Sequence, residues 1–535
     1  MGIPSFFSFI TRKYKHTVLY SKHGFKHINN LYMDSNSIIY DSIQQLNDEH
    51  ISLNEKHIFE RTFQNIKSII KTVLPDKQVY ICFDGVPPFA KIKQQRERRF
   101  KNKLISQWES SLNCINNNTT DEQDSPFDKC SITSGTQFME RLDLYIRTQL
   151  ESNPNLFKNV TIHFSGTTTY GEGEHKIFQF IKSDIPYHKS TTTYIYGLDA
   201  DLIILCLHHN HLCNKLYLFR ETHNKDDIVH LNIQSLYDSI YNTLSLHSFV
   251  NKSNIISDYT LLSFFLGNDF LPHSPFLNIR TTGIYSLINA YKNTIHTKHL
   301  SIINNNTITW LNLKPLIHYL SSQEEILLKN EYLLRNKKNR APEDKQTLQN
   351  LPLYLRDTEH YINPLQGGWR KRYYSVLFNI DYQDKKSIQR ICFVYLQGIE
   401  WTYQYYTNSK STTVWHYPYH YPPLFSDLLY YFPSGNYHLL IDDNNKLNST
   451  ELHMDPLEQL CYVLPRSSYH LLPSFIENEM NTFHEKYTSC YTNHLDWTFC
   501  TFLWEAHIHT PPIFREFVKH TIKKYRKEIN VSEQK

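Results

Sequence analysis

Short apolar runs in the first half of the chain lead into acids. Leu31-Tyr32-Met33 runs into Asp34, Val79-Tyr80-Ile81-Cys82-Phe83 runs into Asp84, and Tyr194-Ile195-Tyr196 stops just before Asp199. A further strand is read at 160–164, and amphipathic helical patterns fall between the strands at 55–73 and 134–151. Strands alternating with helices predict a parallel α/β sheet. In such a sheet the site forms outside the carboxyl ends of the strands. These acids sit at those ends, and a purely structural reading would make that placement a coincidence.

Two denser acidic motifs follow. The run Thr169-Tyr170-Gly171-Glu172-Gly173-Glu174-His175-Lys176 and, about 25 residues on, Gly197-Leu198-Asp199-Ala200-Asp201 each set two carboxylates two residues apart. Two unit charges 4 Å apart repel by about 4 kcal/mol at an effective dielectric near 20. A fold tolerates that crowding when divalent cations occupy the gap. A third motif, Gly267-Asn268-Asp269-Phe270, closes an apolar helix read as beginning near Asp258. Asp34, Asp84, Glu172, Glu174, Asp199, Asp201 and Asp269 thus form one candidate metal set. Hard oxygen ligands favour Mg²⁺ or Mn²⁺ over zinc. Two such ions can clamp the attacking and leaving oxygens of a phosphoryl displacement.

The charge balance is only +4 over 535 residues, so partners are judged from local clusters. Residues 91–103 hold seven basic side chains and one acid. On a helix Lys91, Gln95, Arg98 and Arg99 share a face. Arginine there offers paired donors to phosphate oxygens. A basic helix alone is as well explained as a solvated face; its position just after Asp84 favours a phosphate site.

The length predicts two or more domains. With 40% hydrophobic and 14% aromatic residues the chain can bury full cores. Nine cysteines, an odd count with no CxxC pair, suit reduced thiols. Residues 1–10 do not pattern as a signal peptide, no apolar window reaches the ~18 residues of a membrane span, and Met1-Gly2 lacks the myristoylation context. The expectation is an intracellular protein with no membrane contact, cytoplasmic rather than nuclear, because Lys337-Lys338 is too short for an import signal. Polar inserts are read at 104–130 and 335–349, and 207–213, rich in histidine, reads as an exposed loop rather than a zinc site. No GxxxxGK[ST] loop supports nucleotide hydrolysis.

The ordered motifs resemble those of the XRN 5′→3′ exoribonucleases, relatives of the flap-endonuclease and PIN-like nucleases. The resemblance rests on Met1-Gly2-Ile3-Pro4-Ser5-Phe6-Phe7, the segments 32–39, 83–88 and 132–139, and the three acidic motifs above. It is close over about 1–290 and looser over 350–430. It implies an α/β, PIN/flap-nuclease-like core with a mostly helical second region packed on it. The implied division is a catalytic core at 1–290, a helical connection and charged linker at 291–349, a second region at 350–510 roofing the site, and a basic tail at 511–535. All seven acids become metal ligands or close supporters, with two Mg²⁺ or Mn²⁺ ions during catalysis.

Lys91, Gln95, Arg98 and Arg99 become the pocket for the 5′-monophosphate of single-stranded RNA. A metal-activated water would then release nucleoside 5′-monophosphates, as in RNA degradation and mRNA decay. Tyr40 stands where the family has a base-stacking histidine. Trp415 is the candidate for a second stacking wall, in a block whose first tryptophan is replaced by Thr413. His175 is expected in a supporting hydrogen bond rather than in catalysis, and for Lys176 a contact with backbone phosphate stays open. A monomer is expected, holding the catalytic unit without the family's long accessory domains. A minimal member of that kind would suit a large DNA virus, acting in host cytoplasm, or a parasite. A flap-type DNA nuclease using the same acids and an inactive RNA-binding homologue stay open as alternatives.

Overall fold

The computed structural model describes residues 2–21, 27–116, 127–153, 157, 159–221, 228–245, 251–338, 347–408, 415–440 and 454–533. The polar runs 117–126 and 339–346, and Thr413, lie outside the described residues. The chain forms two compact units that alternate along the sequence. One comprises His23–Gly197, Leu447–Asp496 and His507–Lys535; the other comprises Met1–Lys22, Leu198–Lys446 and Trp497–Ala506.

The first unit is built on four parallel strands, β1 (Asn30–Asp34), β2 (Gln78–Cys82), β3 (Thr161–Ser165) and β4 (Thr192–Tyr196). Their order is β4-β1-β2-β3, with Met33 opposite Tyr196, Asp34 opposite Cys82, and Cys82 opposite Ser165. This is the parallel α/β core expected from the sequence. Leu31, Tyr32 and Met33 are fully buried, the unbroken burial of a strand covered on both faces. Chain direction from β1 diverges here, to β2 on one side and β4 on the other, so β1 lies at the switch point.

The helix Glu55–Val73 has the predicted bounds. Asn54 caps it by accepting from the His57 N–H, and Leu74 ends it in the left-handed region at φ 53°. Gln137–Ser152 begins later than predicted, because the Thr136 hydroxyl caps it by accepting from the Met139 N–H. The insert predicted from residue 104 is corrected: one helix runs from Phe89 to Asn116. Ile105 is buried, and the Ser110 and Ser111 hydroxyls donate to carbonyls four residues back, so polar side chains are absorbed into the helix. The start of this helix packs on the end of the chain. Val86 and Ile92 share a core with Leu460, Met480, Val518 and Ile522.

The second unit has three antiparallel strands, Val18–Ser21, Ile228–Asn232 and Lys215–Glu221, and is otherwise largely helical. Its core is aromatic, with Trp310, Trp401, Tyr259 and Tyr403 among its largest buried side chains. Two predictions fail here. The region 207–213 ends the helix Asp201–His209 and continues as a 3₁₀ turn; His209 is buried, with Nδ1 bonded to the Leu205 carbonyl. Arg335 belongs to the helix Trp310–Lys338 and not to a linker, since its guanidinium is buried and forms a two-pronged bond to Glu359. No helix among the described residues is long and apolar enough to cross a membrane.

Two carboxyls are locked inside this unit. Asp258 accepts from Ile302 N, Ile303 N and the Tyr291 hydroxyl, and Glu324 accepts from Phe425 N and Ser426 N. Burial pushes each up to about 7, against the pull of their donors. Both folded values lie above those of the unfolded chain, so the stability they contribute is whole below about pH 4 and is lost as pH rises through about 7. Glu324→Gln removes one of these titrations. The stability of wild type relative to this variant is expected to fall by on the order of 2 kcal/mol between pH 5 and 7, and to level off above. Urea unfolding across that range measures it, and a pH-independent difference would contradict the assignment.

Candidate metal centre

In the sheet unit the fold brings Asp34, Asp84, Glu172 and Glu174 together. Asp34 ends β1, and Asp84 stands two residues beyond β2. The helix Gly173–Ser183 starts above them, and its Gly173 N–H donates to Asp84 Oδ1 at 2.7 Å. A helix N-terminus stabilises that carboxylate. Asn36 holds the other side: its Nδ2 donates to Asp84 Oδ2 at 2.7 Å, and its Oδ1 accepts from Asp84 N. Gly173 is required by close approach, because a Cβ there would lie 2.6 Å from Asp34 Oδ1 and 3.5 Å from Asp84 Oδ1. Gly85 is equally constrained, with the Thr169 carbonyl in the place its Cβ would take.

Glu172, Glu174 and His175 are buried, and each offers a ligand atom within 4.8 Å of the others. Burial first, and the Glu172 charge second, push Asp84 up to about 6. Burial brings His175 down to about 4, so the ring is neutral at pH 7 and keeps a lone pair. Buried carboxylates crowded at a helix N-terminus form a donor set that fits a hard divalent cation.

The basic helix reaches into this group. Lys91 Nζ lies 2.7 Å from Glu172 Oε1, both side chains being more than nine-tenths buried. Gln95, Arg98 and Arg99 follow on the same face, partly exposed. Arg99 Nη1 is buried without a hydrogen-bond partner among the described residues, a donor left for a ligand oxygen. Lys176, left open by the sequence, turns inward. It is 2% exposed, and its Nζ donates to the carbonyls of Phe83 and Gly166, so it braces the Asp84 turn from inside and does not face a phosphate.

Asp199, Asp201 and Asp269 belong to the helical unit. Asp201 opens the helix Asp201–His209, and Gly2, at φ 52°, is packed so tightly on its carboxylate that no Cβ fits. Asp269 is displayed by a turn in which Asn268 Oδ1 accepts from the N–H groups of Phe270 and Leu271, after Gly267 at φ 84°.

Two family models match along the chain. One, described as the XRN 5'-3' exonuclease N-terminus, covers residues 1–222, and one described as the Xrn1 helical domain covers 249–364 and 355–535. The chain belongs to the XRN family. Among curated relatives, human 5'-3' exoribonuclease 1 is 26% identical over 90% of this chain and 31% of its own length. Chicken 5'-3' exoribonuclease 2 is 25% identical over 88% of this chain and 64% of its own. The yeast Saccharomyces cerevisiae 5'-3' exoribonuclease 1 is 31% identical over 61% of this chain and 23% of its own. The chain therefore spans about a third to two thirds of the length of the first two relatives.

Two XRN positions singled out for stacking differ in setting. Tyr40, on the helix Asn36–Asp48, exposes 39% of its surface in the sheet unit. Trp415, in the helical unit, continues an aromatic column: it stacks on Trp401 at 5.3 Å, and Trp401 stacks on Tyr405 at 5.2 Å. Phe270, next to Asp269, meets Trp401 edge-on. Sequence reasoning missed Asn36, although it lies inside the Asp34 motif, and missed Asp143, whose Oδ2 accepts from Thr167 N and Oγ1 beside Gly166. Nothing in the local pattern around Asp143 distinguishes it from a surface helix acid.

Proposed function

We propose that this chain is a 5′→3′ exoribonuclease that hydrolyses single-stranded RNA bearing a 5′-monophosphate. The observation that carries the reading is the Lys91–Glu172 bond, which joins a phosphate-binding helix to a carboxylate cluster. Asp34, Asp84, Glu172 and Glu174 would hold Mg²⁺ or Mn²⁺; Asp199, Asp201 and Asp269 are the other acids that the XRN resemblance marks as ligands or close supporters. When bound, the cations supply positive charge to the phosphate oxygens and make water a better nucleophile near neutral pH. Asn36 and the Gly173 N–H fix the Asp84 carboxylate, so its lone pairs point one way before substrate arrives. Gln95, Arg98 and Arg99 bind the terminal phosphate, and Tyr40 supports the first base.

Water attacks the phosphorus between the first and second nucleotides, and the bond from phosphorus to the first O3′ breaks. The leaving O3′ takes a proton, and a nucleoside 5′-monophosphate departs. The phosphate stays on the shortened strand, which again carries a 5′-monophosphate and repeats the cycle.

The test is a set of RNAs labelled at the 3′ end and differing only at the 5′ end. Monophosphate RNA is expected to be degraded at least about a hundredfold faster than triphosphate or capped RNA, since a pocket fitted to one phosphate excludes a larger group at a cost near 3 kcal/mol. Equal rates on capped RNA sink the pocket. Preference for a DNA flap supports the flap-nuclease alternative, and binding without degradation in Mg²⁺ or Mn²⁺ supports an inactive RNA-binding homologue.

A further inference from the structure

The basic helix Phe89–Asn116 has a second occupied face. Turned roughly 120° about the helix axis from Lys91, Gln95, Arg98 and Arg99, the residues Arg96, Phe100 and Lys103 line a cavity of about 180 Å³ within the sheet unit. A single water needs about 10–15 Å³, so the space suits a ring system rather than one solvent molecule.

Its walls are aromatic and rigid. Phe100, Tyr469, Phe483 and Tyr491 line it, and Pro465, Pro511 and Pro512 stiffen the segments between. Arg96 is part of the wall. Its guanidinium lies over the Phe100 ring at 4.5 Å, and its donors go to Thr510 Oγ1 and the carbonyls of Tyr462 and Pro511. Three of its five N–H groups are thereby used, and they fix the wall.

Other cations remain. Among the described residues no carboxylate lines the cavity. Lys103 is exposed and makes no salt bridge among the described residues, and Arg466 is held in place by Asn481 through Nε and by Glu485 through Nη2. His484 also lines the cavity, and its Nδ1 is buried with no hydrogen-bond partner among the described residues. Ring walls suit a flat heterocycle, an unbonded imidazole nitrogen suits its polar edge, and two cations suit an attached phosphate.

We propose that this cavity is a second nucleotide site, separate from the acid cluster, with the base among Phe100, Tyr469 and Tyr491 and the phosphate at Lys103 and Arg466. Only the source of the nucleotide rests on the exoribonuclease reading: either a released nucleoside 5′-monophosphate or one unit of an RNA strand outside the catalytic site.

Binding is read with the whole protein in EDTA, where no turnover intervenes, so it succeeds or fails independently of RNA hydrolysis. The probes are AMP, UMP and a ten-nucleotide RNA with a 5′-hydroxyl, titrated calorimetrically, with 8-azido-AMP as the photocrosslinker. Cross-links at Tyr469 or Tyr491, and binding weakened at least about tenfold by Lys103→Glu with Arg466→Glu or by Tyr491→Ala, are expected. AMP and UMP binding assigns the site to free mononucleotides, and RNA binding without them assigns it to a strand. The three substitutions lie at the surface, and circular dichroism confirms that each variant folds. Unchanged affinity in folded variants, cross-links confined to 91–99, or binding of a Glu-Trp-Glu peptide with no nucleotide binding overturns the proposal.

Discussion

Asp84→Asn is expected to slow degradation of 5′-monophosphorylated RNA by at least about 10³-fold, a loss of about 4 kcal/mol in transition-state stabilisation. Asp84 sits at the centre of the acid group, fixed by Asn36 on one oxygen and by the Gly173 N–H on the other. An amide of the same shape keeps the Gly173 bond and removes the charge. Burial already pushes this carboxyl up to about 6, so at pH 7.5 the protein without metal carries an ionised group in a place that disfavours it. The substitution removes that cost, and the Tm of the metal-free variant should stay within a few degrees of wild type. Mg²⁺ should raise the wild-type Tm and leave the variant's unmoved. Single-turnover assays and thermal melts with and without Mg²⁺ read both effects. A variant keeping more than a tenth of the rate would remove Asp84 from the reaction.

Gly173→Ala should be nearly as damaging, by a different route. Its helical backbone accepts alanine, which favours helix by about 1 kcal/mol over glycine. The added methyl, however, would sit 2.6 Å from Asp34 Oδ1, so the Asp34 carboxylate or the helix start must move. We expect at least a hundredfold loss of rate and a weaker apparent Mg²⁺ affinity in a protein that still folds. Gly171→Ala is the control. Gly171 has φ 96° with open space where a Cβ would point, so its cost is backbone strain of about 1–2 kcal/mol, appearing in stability more than in rate. If the two variants lose rate equally, contact with Asp34 is not the cause.

What the sequence made legible was local. Strands ending in acids predicted the parallel sheet and the gathering of Asp34 with Asp84, because a strand's apolar run and its last residue are neighbours in the chain. The spacing of Lys91, Gln95, Arg98 and Arg99 predicted one helix face correctly. The same spacing could not say that Lys91 would turn to Glu172, because that pairing depends on how the Gly173 helix docks above β2. The role of Lys176 stayed open for a related reason. Two residues beyond Glu174 on a helix lies a face turned about 200° away, and here that face looks into the protein, where two carbonyls meet the ammonium. The histidine-rich stretch at 207–213 and the charged residues before 339 looked like loops by composition alone. Burial of His209 and the Arg335–Glu359 pair reversed both, through partners that no window of sequence contains.

The core shared by Ile92 and Ile522 sets an order of events for a chain emerging from a ribosome. The strands carrying Asp34 and Asp84 are made early, whereas the residues that cover the start of the basic helix arrive roughly 430 residues later. At about 5–20 residues per second, that is roughly 20–90 s. Through that interval Val86 and Ile92 lack the Val518 and Ile522 side of their packing, so the basic helix gains its full support only once residues 518–522 have emerged.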